Sequence, residues 1–198
     1  MSDCPTVHAN CVVVGETGVL IRGASGSGKS SLSLALIELA AGKSLFARLV
    51  ADDRVRLTAA NGRVIASAPR EIAGLIERRG FGVVRAPYLE AAVLGLVVDI
   101  ERDPPRMPAE ADGRTKVCGI DLPRLAIPEH DDLIRAAHLT LCACAAMSHC
   151  GASALAFAPQ HGKMTRLAPQ AALVRSGRAG VARGGHDPER NEFCAETA

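Results

Sequence analysis

Gly23-Ala24-Ser25-Gly26-Ser27-Gly28-Lys29-Ser30 satisfies every fixed position of G-x-x-x-x-G-K-[ST]. Such a loop works only where an apolar strand delivers the chain to it and a helix carries it away, so it dictates a strand–loop–helix unit near the start of this chain. The flanks comply. Val12, Val13 and Val14, then Val19, Leu20 and Ile21, are short β-prone runs separated by Gly15-Glu16-Thr17-Gly18, a composition suited to a hairpin turn. After Ser30, apolar residues recur at Leu32, Leu34, Ala35, Leu36, Ile37, Leu39 and Ala40 with Glu38 as the only charge, and Gly42 supplies a stop. That spacing predicts a buried helix beginning at the loop.

The chemistry follows from the residue types. Glycines let the backbone approach an anion and turn successive N–H groups inward. The helix N-terminus adds roughly half a positive charge aimed at the same place. Gly23, Ala24, Ser25, Gly26, Ser27, Gly28, Lys29, Ser30 and Ser31 are therefore the expected nucleotide contacts, with Lys29 bonding the outer phosphates and the Ser30 hydroxyl placed to ligate Mg²⁺. The bland alternative is a glycine-rich turn in front of a core helix.

A second feature lies downstream. Leu45-Phe46-Ala47-Arg48-Leu49-Val50-Ala51 reads as a strand that ends on the adjacent carboxylates Asp52 and Asp53. Beside a phosphate loop, an acid at a strand end either holds the metal or its water, or takes a proton from an attacking hydroxyl; the plain alternative is an Asp-Asp turn. His8, just before the first valine run, is a histidine of either structural or proton-handling kind. Asn61-Gly62 between two apolar runs is a hairpin signal. Residues 71–84, with Glu77, Arg79 and two close glycines, read on their own as a helix, a turn and a strand, with Glu77 and Arg79 as a solvated pair.

In combination, the GASGSGKS loop, the LVADD strand end and the IERRGFGVV segment, in that order and with His8 upstream, resemble the catalytic domain of the HPr kinase/phosphorylase family. The resemblance spans roughly residues 6–145. It implies an α/β domain of the phosphate-loop, phosphoenolpyruvate-carboxykinase-like kind with a mixed sheet, covering residues 6–150. It also implies an ATP- and Mg²⁺-dependent protein serine kinase that acts on an HPr-like phosphocarrier protein, reverses the reaction by phosphorolysis in many members, and serves regulation of carbon and nitrogen metabolism. Carried over by motif, Lys29 binds the transferring phosphate, and Ser30 and Glu77 lie near or on the Mg²⁺. Asp53 is the general base with Asp52 and His8 assisting, and Arg79 belongs to the signature segment. Residues 119–128 resemble the loop that family members use for phosphate removal, with Arg124 where they favour lysine, and Arg85 is a candidate for an arginine of the shortened linking segment. Two departures are Ala24 and Ser31, where family loops commonly carry acids. A homo-oligomer, a hexamer in the family, is also implied. Rival readings are a small-metabolite kinase and a nucleotide-binding regulator without phosphotransfer.

The rest of the chain sets limits. Hydrophobic residues make up 48% of 198 and aromatics only 3%, so small aliphatic side chains must build the core. A net charge of +2 and few aromatics argue against a nucleic-acid surface. No apolar run reaches the ~18 residues of a spanning helix, and the N-terminus has no secretory layout, which together predict a cytoplasmic protein with no membrane contact. The seven cysteines are irregularly spaced and suggest neither a disulfide framework nor a zinc site; Cys142, Cys144 and Cys150 read as buried thiols. Residues 133–146 are helix-compatible, and 151–198, rich in Ala, Gly and Arg, read as a poorly ordered tail.

Overall fold

Short aliphatic runs broken by Gly, Pro, Asn and Asp give the described chain eleven strands. The helices are confined to the stretch after the phosphate loop and to the end of the described chain. The computed structural model describes residues 2–3 and 6–149, so the expected tail lies outside the described residues. In order, the elements are β1 (Ser2–Asp3), β2 (Val7–Val14), β3 (Thr17–Gly23), α1 (Lys29–Gly42), β4 (Ala47–Ala51), β5 (Arg54–Ala60) and β6 (Arg63–Ser67). A 3₁₀ turn (Arg70–Ile72) leads to β7 (Leu75–Arg78), β8 (Gly82–Arg85) and β9 (Ala91–Glu101). A second 3₁₀ turn (Glu110–Gly113) precedes β10 (Arg114–Val117), β11 (Ile120–Pro128) and α2 (Leu133–His149). The class is α/β with a mixed sheet.

The sheet explains why the loop and the carboxylates meet. β2 and β3 form an antiparallel hairpin closed at Gly15, whose φ of 59° a glycine takes without strain. β2 also pairs antiparallel with β4, setting Cys11 against Ala51, so Asp52 and Asp53 emerge beside the start of β2. β3 runs parallel to β9, and β9 parallel to β11. β6 pairs with the first residues of β9, β5 pairs with β6, and β5 returns to β2 at Val7 and His8. The pairings β2–β3–β9–β6–β5–β2 therefore close a ring, which leaves few open edges in this part of the sheet.

Two apolar clusters fill the two faces. One, with Cys11, Val13, Leu20, Val55, Leu57, Val64 and Val97, is built from strands of the ring. The other joins Val12, Ile21 and Val98 to Leu32 and Leu36 of α1, Ile76 of β7 and Ala137 and Leu141 of α2. β2 is buried continuously from Ala9 to Val14 because both of its faces are covered, which is why it reads as an unbroken apolar run. Leu36 is fully buried and contributes about 1.5–3 kcal/mol by removal from water.

Two expectations are corrected. Residues 71–84 are not a helix, turn and strand: only Arg70–Ile72 makes a 3₁₀ turn, and β7 and β8 form an antiparallel hairpin turned at residues 79–81. Gly74 at φ 73° breaks any helix there and frees Ile76 to enter the core. Residues 119–128 are not a loop either. Ile120–Pro128 is strand β11, and Arg124 is bonded to Asp99 and Glu101. Arg85 lies at the exposed end of β8. Of the thiols, Cys11 and Cys144 are buried, and burial pushes each up to about 12; Cys142 is exposed.

Behind the loop sits a charged cluster. Arg22, the residue before Gly23, pairs in register with Asp99 and binds it through Nε at 2.6 Å and Nη2 at 2.8 Å, while Arg124 approaches the same carboxylate. Burial opposes ionisation of Asp99, but the two guanidinium groups outweigh it and hold the carboxyl below its usual range. A carboxylate with a depressed native pKa stabilises the fold above its unfolded pKa and loses that contribution as the pH falls through the native value. Chemical denaturation of the wild-type protein across the range from about pH 5 downward should therefore show a steeper loss of stability than Asp99→Asn shows over the same window. Equal acid slopes would contradict this role.

Candidate active site

Gly28, the N-cap of α1, adopts φ 98° and ψ 13°, a left-handed conformation suited to glycine. No side chain caps the helix start, and its first turn carries no acid, so the leading N–H groups are left for an anion. Gly23 is required by close approach: a Cβ there would meet Ser27 Oγ at 2.6 Å and the Ile100 carbonyl oxygen at 3.1 Å. The Ser27 hydroxyl is buried and has no partner among the described residues. A Cβ at Gly26 would meet Arg79 Nη2 at 3.4 Å, which places the Arg79 guanidinium over the loop.

Lys29 is folded over the loop and only 6% exposed. Its ammonium group donates to the carbonyls of Gly23 (3.1 Å) and Ala24 (2.8 Å) and to His8 Nε2 (3.0 Å). A donor lysine makes Nε2 the acceptor, so the ring proton belongs on Nδ1, which faces Asp53 Oδ1 at 2.9 Å. The result is a chain from loop cation to imidazole to carboxylate. Burial lowers the Lys29 pKa, against the pull of Asp53 and Asp52. Asp53 sits at φ 61°, uncommon for a residue with a side chain and of the kind that collects at functional sites. Its side chain is 63% exposed and open to an incoming group.

Asp52 faces the other way. It is 8% exposed, and its Oδ1 accepts from Asn10 Nδ2 (2.6 Å) and Ser30 Oγ (2.9 Å), while its Oδ2 accepts from the Glu77 backbone N–H (3.0 Å). Asn10 also donates toward Ser30 Oγ (3.2 Å) and Ser33 Oγ (3.3 Å) and accepts from the Asp53 N–H (3.1 Å). The two adjacent acids thus divide: Asp52 stands behind the loop serine, and Asp53 belongs to the histidine. Mg²⁺ takes one or two carboxylates and shares phosphate oxygens and water. Ser30 with Asp52 beside it, and Glu77 in the same cleft, supply such oxygens, and among the described residues no larger His, Cys, Asp or Glu cluster competes.

These groups line one cleft of about 870 Å³, with His8, Lys29, Ser30, Asp53, Glu77 and Arg79 on its walls and exposed Phe81, Leu133 and Ile134 at its margin. Ser25, Gly26, Gly28 and Ser31 line it as well. Sequence reading missed Asn10. The available signal was a lone carboxamide inside an otherwise apolar strand, since a buried polar residue there demands partners. Asn10→Ala removes the shared donor from Asp52 and strands the Asp53 N–H, so it should cost about 1–3 kcal/mol in denaturation. A neutral result would contradict the network.

The described elements match known proteins. The family model for the HPr Serine kinase C-terminal domain matches residues 1–102. The HPr kinase/phosphorylase of Geobacillus thermodenitrificans is 38% identical over 134 residues, which is 62% of this chain and 41% of that protein. That of Clostridium tetani is 34% identical over 103 residues, 48% of this chain and 32% of that protein. This chain therefore spans about two fifths or less of the length of these curated relatives. The structure of the Hpr(Ser) kinase/phosphatase from Coxiella burnetii superposes with a TM-score of 0.60 at 28% identity, covering 73% of this chain and 99% of that one. With a family match over more than half its length and a site built from the same segments, the chain belongs to the HPr serine kinase C-terminal domain family.

Proposed function

We propose that this chain is a protein serine kinase that transfers the terminal phosphoryl group of ATP, with Mg²⁺, to a serine hydroxyl of an HPr-like phosphocarrier protein. The observation that carries this reading is the Lys29–His8–Asp53 chain, with contacts of 3.0 and 2.9 Å, which joins the phosphate loop to an exposed carboxylate. A serine hydroxyl is a weak nucleophile at neutral pH, so the acceptor proton must leave as the new bond forms. Asp53 takes that proton while His8 Nδ1–H holds the other part of the carboxylate in place. The acceptor oxygen bonds to phosphorus as the bond to the bridging oxygen of the nucleotide breaks, and the proton ends on Asp53.

Lys29 already contacts both the loop carbonyls and His8, so its charge lies where the transferring group develops negative charge. Arg79, over Gly26, supplies a second cation from the β7–β8 hairpin. Ser30 and Glu77 would hold the Mg²⁺, with Asp52 behind Ser30, and the ion would neutralise phosphate charge. The absence of acids at Ala24 and Ser31 leaves the loop itself less negative, so metal binding would depend on Glu77 and on Asp52 behind Ser30. The forward direction is favoured here because Arg124, expected to serve phosphate removal, is occupied by Asp99 and Glu101.

Asp53→Asn keeps the shape of the side chain and removes its basicity. Steady-state assays with ATP, Mg²⁺ and the HPr-type carrier of the same organism should show kcat reduced about 10²–10⁴-fold, with nucleotide affinity retained. Retained turnover would favour another base. Loss of nucleotide affinity alone would point to a structural role for the carboxylate.

A further inference from the structure

Two clefts meet at His8 and Asp53. The first is the phosphate-loop cleft already described, and the second, of about 580 Å³, shares only these two lining residues with it. Its further walls include Arg54, Arg56, Pro69 and Glu71. β5 alternates exposed Arg54 and Arg56 with buried Val55 and Leu57, so both arginines leave the same face of the strand. Arg54 is paired in register with His8 across β2 and β5, which fixes its backbone beside the catalytic histidine.

Three other strand arginines are neutralised, Arg22 and Arg124 by Asp99 and Arg78 by Glu38. Arg54 and Arg56 have no ion pair and no side-chain hydrogen bond among the described residues, although Glu71 shares their cleft. Two open cations on the wall of a cleft that ends at the proposed base create a field for an anion. The loop that would hold the phosphates of the nucleotide lines the first cleft and not the second. In-line transfer puts the attacking oxygen opposite the leaving one, so an acceptor must reach Asp53 from the side away from the donor.

We infer that the second cleft is the acceptor subsite, and that Arg54 and Arg56 hold a carboxylate which the acceptor protein carries in the segment flanking its reactive hydroxyl. Arg54 and Arg56 act here as specificity-determining residues, and Glu71 tunes the subsite by opposing acceptor charge. The inference rests on the protein-kinase reading of Asp53 and extends it from the reacting hydroxyl to the polypeptide around it.

The test compares the full chain as wild type, Arg54→Gln/Arg56→Gln and Glu71→Gln, with ATP, Mg²⁺ and the HPr-type phosphocarrier of the same organism, at several salt concentrations. The double variant should raise KM for the carrier about tenfold or more while KM for ATP stays unchanged. The wild-type KM for the carrier should rise with salt, the double variant should lose that dependence, and Glu71→Gln should lower KM for the carrier. An unchanged KM for the carrier in the double variant overturns the inference, as does a parallel rise in both KM values, which would mark a general disruption. Inorganic phosphate is titrated as a competing probe. If the double variant loses phosphate inhibition yet keeps the wild-type KM for the carrier, the arginines form a free-phosphate site and the inference falls. A wild-type protein that binds nucleotide but phosphorylates no carrier is a different result: it removes the kinase reading and takes the subsite with it.

Discussion

A single buried carboxamide holds the site together. Asn10, on β2, bonds to the loop serine, to Ser33 one turn further along α1, to the Asp52 carboxylate and to the Asp53 backbone. Three separate elements, β2, α1 and the end of β4, therefore share one rigid polar junction. Inside an apolar surround each of these bonds matters more than it would in water, and an unpaired member would be costly. The junction also forces the two acids apart. With Asp52 drawn toward Asn10 and Ser30, the chain must turn at Asp53, and its left-handed backbone turns that carboxylate toward His8.

The strands supply the frame in which this junction can form. Closure of the ring β2–β3–β9–β6–β5 fixes the ends of β2, β3 and β5 relative to one another, so His8, Gly23 and Arg54 keep their places. The Arg22–Asp99–Arg124 cluster ties the last turn of β3 to β9 and β11 directly before the loop begins. α1 and α2 then cover one face with aliphatic side chains, and the β7–β8 hairpin, anchored by Ile76, brings Glu77 and Arg79 across the loop. Function on this fold is a matter of what a few side chains at these strand ends can reach.

Much of this was legible in the chain itself, and the reasons for the exceptions are physical. The strand–loop–helix unit, the hairpin at Gly15 and the strand ending in Asp52 and Asp53 follow from local composition, because each depends on neighbours in sequence. Family resemblance added the placing of His8 and Arg79, and the geometry brings both to the loop. Asn10 escaped because its partners are 20 to 43 residues away and nothing beside it in sequence names them. The β7 segment reads as helical because Glu71, Ala73, Leu75 and Glu77 are good helix formers, and burial of Ile76 in the cluster with α1 overrode that preference. Residues 119–128 resemble a family loop, yet they form β11, in which Pro123 ends the pairing with β10 and the parallel pairing to β9 runs from Arg124 to Pro128.

The account stands on phosphoryl transfer to a protein hydroxyl at Asp53, and the location of the phosphate on the acceptor tests it most directly. Purified chain, ATP, Mg²⁺ and the HPr-type carrier of the same organism are incubated, and the carrier is mapped by mass spectrometry. The account predicts one phosphorylated serine that disappears when Lys29→Met replaces the wild type. A carrier left unmodified while the chain binds nucleotide, or phosphate found on histidine instead of serine, would contradict it.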